Sequence, residues 1–295
     1  MNLSEISLAF KGCIGEAPLS FKDYLIRLNL LKDDLENGTV ISNANDFILR
    51  DIEILLDKAL INLSATDLLI KRGYFNWGFV TSYYSNFYSV MALNRLKLNF
   101  ATYTSTGIEC ELNDYFKKEL RIKLSNKSGG SHQAQFQKFY DNYLNFKNTK
   151  SIDRFWTLGI QQFKLRPEAL LRDEVNYSIE EYYYYELKLD INDFNKICRD
   201  NTNDPAKKRE EITKPVNYSL PNLELALSRI RIIIYILNYI ANTNLEYKSY
   251  FVRRCNQRIT NIKLKYPKIS SWLLSYLEEW LQFIEIETDD MLEVN

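Results

Sequence analysis

The sequence predicts an all-α protein built around a helical bundle. Three observations predict it. Apolar residues recur with a period of about 3.6 over two long segments, 45–72 and 77–98. Glycine and proline are scarce, 9 and 6 in 295 residues, while Tyr 21 and Phe 16 supply large core side chains. No convincing strand alternation interrupts these segments, and no internal repeat is seen.

In chain order, Phe21, Tyr24, Leu25, Leu28, Leu31 and Leu35 have helical spacing, and Asn37-Gly38 reads as its stop. Asn45-Asp46 then reads as the N-cap of a long helix carrying Phe47, Ile48, Ile52, Leu55, Leu56, Ala59, Leu60, Leu63 and Leu68, ended at Lys71-Arg72-Gly73. A second long helix is expected from about Trp77 to Leu98, with Val80, Tyr84, Phe87, Tyr88, Met91 and Leu96 on its apolar face. Residues 99–115 read as a connection and Asp114–Leu124 as a short helix. The run Ser125-Asn126-Lys127-Ser128-Gly129-Gly130-Ser131 is the most loop-like stretch, and Ser131 is placed to cap a helix starting at His132 with Phe136, Phe139, Tyr140, Tyr143 and Leu144 along it. Residues 147–167 read as irregular, 179–198 as a helix and 201–221, with Pro205, Pro215 and Pro221, as a linker. Helices at about Asn222–Asn242, Leu245–Lys265 and Ser270–Ile284 complete the chain. The expected organisation is an N-terminal helical extension (1–44), a bundle (45–200), the linker and a C-terminal helical region (222–295).

Composition excludes several function classes. Lys+Arg and Asp+Glu are both 38, so the chain is not uniformly basic or acidic. A single histidine, His132, excludes any mechanism that needs two imidazoles in one chain, as well as His-rich zinc sites. Cys13, Cys110, Cys198 and Cys255 form no Cys-x-x-Cys pair, so no structural zinc is expected. Met1–Phe10 contains an acidic residue and no long apolar core, so no signal peptide is expected and the cytoplasm is the expected compartment. The longest apolar stretch, Ile230–Ile240, carries Arg231 and Asn238 and is too short and polar to span a bilayer. Phosphate-loop, dinucleotide-binding and nucleophile-elbow motifs are absent. The adjacent carboxylates Asp173-Glu174 and Glu180-Glu181 would point apart on a helix and make poor metal clamps. No cofactor is expected.

The segment Phe79-Val-Thr-Ser-Tyr83-Tyr84-Ser-Asn-Phe87-Tyr-Ser-Val-Met-Ala-Leu-Asn-Arg-Leu96 resembles the signature helix of HEPN domains, through Tyr83, Tyr84 and Phe87. Ser131-His132 followed by Phe136 and Phe139 resembles the family's segment of a small residue, His and a helix. Leu171-Arg172-Asp173-Glu174-Val175-Asn176-Tyr177 resembles the element before the last HEPN helix, with Asn176 where the family has Asp. The three pieces keep the family's order and cover about half the chain.

This resemblance implies a HEPN-like bundle with additional C-terminal helices, a role in prokaryotic defence or toxin–antitoxin systems, and RNA as substrate or ligand. It also implies metal-independent cleavage by an Arg-x(4–6)-His motif, and a homodimer, because the family's site is composite. Here Lys127 stands where the Arg would be, so His132 and Lys127 are the candidate catalytic pair, with Arg172 as a further cation. An imidazole can move a ribose 2′-hydroxyl proton, and a cation can neutralise the phosphate.

A second candidate surface is the run Lys248, Arg253, Arg254, Arg258, Lys263, Lys265 and Lys268, which contains no acidic residue. With Tyr247, Tyr250, Phe251 and Tyr266 interleaved, Arg253, Arg254, Arg258, Lys263 and Lys265 suit single-stranded nucleic acid. The opposing reading is a charge face balanced internally, since Glu278, Glu279, Glu285, Glu287, Asp289, Asp290 and Glu293 follow it. The alternative function is a non-catalytic helical subunit that docks a protein partner, an antitoxin or a member of a defence complex, with no membrane involved.

Overall fold

A computed structural model of the chain describes residues 3–72, 74–125, 132–144, 158–160 and 219–286. The expected loop with Lys127 and Ser131, the 179–198 helix, Arg172, the body of the linker and the acidic end from 287 lie outside the described residues.

The fold is mostly helical, but it is not all-α. Helices α1 (Leu3–Ala9), α2 (Phe21–Leu28) and α3 (Lys32–Asn37) lead into strand β1 (Thr39–Ser42). The helical hairpin α4 (Asn45–Lys71) and α5 (Phe75–Leu96) follows. Strands β2 (Asn99–Tyr103), β3 (Gly107–Asp114) and β4 (Glu119–Leu124) complete an antiparallel four-stranded sheet of order β1-β4-β3-β2. Helix α6 (His132–Tyr143) comes next, and α7 (Ser219–Thr243), α8 (Leu245–Lys265) and α9 (Ser271–Trp280) form the C-terminal part.

The sheet occupies the region expected to be a connection and a short helix. Its cause is a period of two. Ile108, Cys110 and Leu112 alternate with Glu109 and Glu111, and Leu120, Ile122 and Leu124 alternate with Arg121 and Lys123. The helix-favouring Lys, Glu and Leu of 114–124 are overridden, because only a strand puts Leu120 and Ile122 on one buried face. Register aligns Phe100 with Cys110 and Cys110 with Ile122, and aligns Leu112 with Leu120 and Leu120 with Ile41. The other face carries charges, with Lys123 Nζ 2.9 Å from Glu111 and 3.7 Å from Glu109.

The expected helix over 21–35 divides in two. Ser20 caps α2 by accepting from the Asp23 N–H at 3.1 Å, and Asn29 ends it in the left-handed region at φ 48°. At the start of α4 the expected caps have other work. Ala44 is the N-cap, Asn45 Nδ2 donates to the Ala9 carbonyl at 2.6 Å, and Asp46 Oδ1 accepts from the Ile14 and Gly15 N–H groups at 2.8 and 2.7 Å. The α1–α2 segment is thereby tied to the bundle.

Helices α4 and α5 pack along their length. Gly78 permits the close crossing at the hairpin turn, because a Cβ there would lie 2.7 Å from Ile70 Cγ1. Helices α6, α8 and α9 start and stop within a few residues of the sequence expectation. Most of the buried apolar residues form one cluster reaching from Leu3 to Leu281, and the C-terminal helices share it with α4 and α5. Among the described residues, no helix is long and apolar enough to cross a membrane.

Candidate functional site

Two helices place the histidine. Tyr83, Tyr84 and Phe87 lie within about one turn of α5, and His132 opens α6 against them. The Tyr83 hydroxyl and His132 Nδ1 are 2.6 Å apart. The imidazole stacks on Phe87 with ring centroids 4.0 Å apart and planes 7° from parallel. Tyr84 meets it edge-on at 5.9 Å. Phe136, one turn along α6, closes the cluster against Tyr83 and Phe87. Tyr83, Phe87 and Phe136 are buried, while His132 and Tyr84 are half-buried. The ring is thus fixed on three sides, and a hydroxyl holding Nδ1 directs proton transfer to Nε2.

Behind the aromatic cluster lies a cation that the sequence reading did not select. Arg229 on α7 is fully buried. Its Nη1 donates to Asn86 Oδ1 at 3.2 Å, and its Nε and Nη2 donate to the Leu158 carbonyl at 3.3 and 3.2 Å. Its guanidinium also lies 4.8 Å from the centre of the Phe139 ring of α6. Asn86 in turn donates to the Asn222 carbonyl at 2.8 Å. The arginines Arg229 and Arg231 at the head of a long apolar run are the signal that would have found it, because a charge is buried there only where acceptors meet it.

The basic run of α8 is largely engaged by carboxylates. Arg258 is buried and pairs with Glu53 and Asp57 of α4, the Nε to Asp57 Oδ1 distance being 2.7 Å. Arg254 pairs with the other oxygen of Asp57, and Arg253 with Glu16. Lys263 reaches Glu278 at 2.6 Å and Lys248 reaches Glu285 at 3.6 Å. The internally balanced reading of this face is therefore the one these contacts fit, with Glu53 and Asp57 of α4, Glu16, and Glu278 and Glu285 of the acidic end as the partners. Burial pulls the Arg258 guanidinium down, but Glu53 and Asp57 outweigh it and hold the group above its ordinary value. The Tyr247 hydroxyl donates to Glu53, and burial followed by that carboxylate pushes its pKa well up. Lys265 makes no ion pair among the described residues.

Glu53 and Asp57 were missed because they sit in a helix read for its apolar stripe. The signal was on α8, where Tyr247, Phe251, Cys255 and Ile262 are buried and Arg258 shares their stripe. Among the described residues, no group of three His, Cys, Asp or Glu side chains is placed to hold a metal ion. His132 is thus brought together with the tyrosines of α5, while Arg253, Arg254, Arg258, Lys263 and Lys265 lie on a separate helix packed on α4 or exposed beyond it.

No protein-family model, curated protein or solved structure matches the chain.

Proposed function

We propose that the chain is a HEPN-like protein of a prokaryotic defence or toxin–antitoxin system that acts on RNA at His132, in the cytoplasm and as a homodimer. The supporting observation is the 2.6 Å contact between Tyr83 and His132. It joins two of the three segments on which the HEPN resemblance rests, and it fixes the imidazole's orientation. With Nδ1 held by the Tyr83 hydroxyl, Nε2–H would deliver a proton to the leaving oxygen, and Lys127 and Arg172 would neutralise phosphate charge. RNA supplies its own nucleophile, so this chemistry needs no metal.

The test is incubation of the purified full chain with a mixed RNA pool in EDTA, beside His132→Ala. Cleavage by wild type and not by a folded His132→Ala variant is the expected result. No cleavage by folded, dimeric wild type overturns it.

One observation favours a second reading, a non-catalytic subunit that docks an antitoxin or a defence-complex partner. Arg253, Arg254, Arg258 and Lys263 already hold carboxylates of the same chain. Under that reading His132→Ala leaves partner binding intact.

A further inference from the structure

A cavity of about 180 Å³ lies between α4 and α8. Its apolar wall is Leu60, Ile61 and Ile262, with the Tyr266 ring at one end. Its polar wall is Arg254, Arg258, Lys265 and Asp57. Ile61 is 44% exposed, so the apolar wall reaches the surface and the cavity can be entered there. None of these residues belongs to α5 or α6, so the cavity is separate from the His132 cluster.

We infer that this cavity is a binding site for a small aromatic carboxylate, its ring against Leu60, Ile61 and Ile262 and its carboxylate toward Arg254, Arg258 and Lys265. Three features select that chemistry. The first is size: an apolar cavity of about 150 Å³ accepts a benzene ring, so the space here takes a ring with one small substituent.

The second is the cations of the polar wall. Asp57 and Glu53 hold the Arg254 and Arg258 guanidiniums beside the cavity, where their positive charge favours an anion. Lys265 adds an ammonium with no ion pair among the described residues.

The third is charge. Three cations, Arg254, Arg258 and Lys265, face two carboxylates, Asp57 and the Glu53 bound behind Arg258. One positive charge remains, which a monoanion balances and a dianionic phosphate exceeds. A neutral ring would leave that charge unbalanced, and a cationic one would be repelled.

The full-length chain titrated with sodium benzoate by calorimetry tests this, with benzamide, benzamidine and inorganic phosphate as controls. Saturable benzoate binding is expected, about tenfold tighter than benzamide, with benzamidine and phosphate weaker still. Two surface substitutions, each checked for an unchanged circular dichroism melt, locate the site. Ile61→Trp fills the cavity mouth and should abolish binding, and Lys265→Gln should weaken it about threefold to tenfold. Benzamide binding as tightly as benzoate overturns the proposal, and so does benzoate binding that neither substitution changes. Displacement of benzoate by a short oligouridine also overturns it, because the arginines then serve a nucleic acid. A failed RNA cleavage assay leaves this inference untouched, because His132 takes no part in it.

Discussion

The ring of His132 lies flat on that of Phe87, centroids 4.0 Å apart, while the Tyr83 hydroxyl holds Nδ1 from the side. A phenol is the better donor of the two, so the neutral imidazole should carry its proton on Nε2. The chain has one histidine, so one set of ring ¹⁵N signals reports it without ambiguity. Wild type should show the Nε2–H tautomer, and Tyr83→Phe should relax toward a mixture and lose about 1 kcal/mol of stability. An unchanged tautomer in Tyr83→Phe would remove the hydroxyl from its assigned role.

The ion pairs of α8 should differ sharply in worth. Arg258 and Glu53 have side chains 3% and 1% exposed, whereas Arg253 and Glu16 are 55% and 49% exposed. Removing Arg258 leaves Glu53 buried without its cation, so Arg258→Ala should cost about 3–5 kcal/mol in urea unfolding. Arg253→Ala should cost less than about 1 kcal/mol, since water and salt screen that pair. Equal losses would mean that the α4–α8 contact does not rest on the buried cluster.

The free cysteines should be inert in the folded chain. Burial, the largest cause in each case, pushes the thiols of Cys13, Cys110 and Cys255 up to about 12. At about pH 8 only about one thiol in ten thousand is then ionised, and the thiolate is the reactive form. Peptide mapping after iodoacetamide treatment should find these three unmodified without denaturant and modified with it.

The helical bundle was legible because its signal is local and long. Asn45–Lys71 and Leu245–Lys265 hold a 3.6-residue period over many turns, and the bounds read from sequence match the structure within a residue or two. The sheet was not legible by the same method. Its strands are four to eight residues long, and Cys110 interrupts the branched apolar residues that mark a strand. In 114–124 the charged residues suit a helix equally well, and only the pairing of Leu120 with Leu112 and Ile41 settles the matter. The site divides in the same way. His132 and Tyr83 were readable as motif residues, but their contact spans 49 positions. Glu53, Asp57 and Arg229 were hidden because a charge on a buried stripe is recognisable only once its partner helix is in place.

Asp67 couples two helices to pH. It is buried on α4, accepts from the Ser270 N–H at 2.8 Å and from the Ser270 hydroxyl at the start of α9, and lies 3.5 Å from Lys71 Nζ. Burial raises its pKa above the ordinary 3.8, against the opposing pull of Lys71 and of the Ser270 hydrogen bonds. A carboxyl with a raised folded pKa binds its proton more tightly in the folded state. Its contribution to stability is therefore fully present below the unfolded pKa and is lost as pH rises through the folded one. Asn in its place has no proton to lose. The stability of wild type relative to Asp67→Asn, from urea unfolding at a series of pH values, should be greatest near about pH 4 and decline toward about pH 8. A difference that grows with pH would mean that the Lys71 ion pair outweighs burial, and that Asp67 is held ionised in the fold.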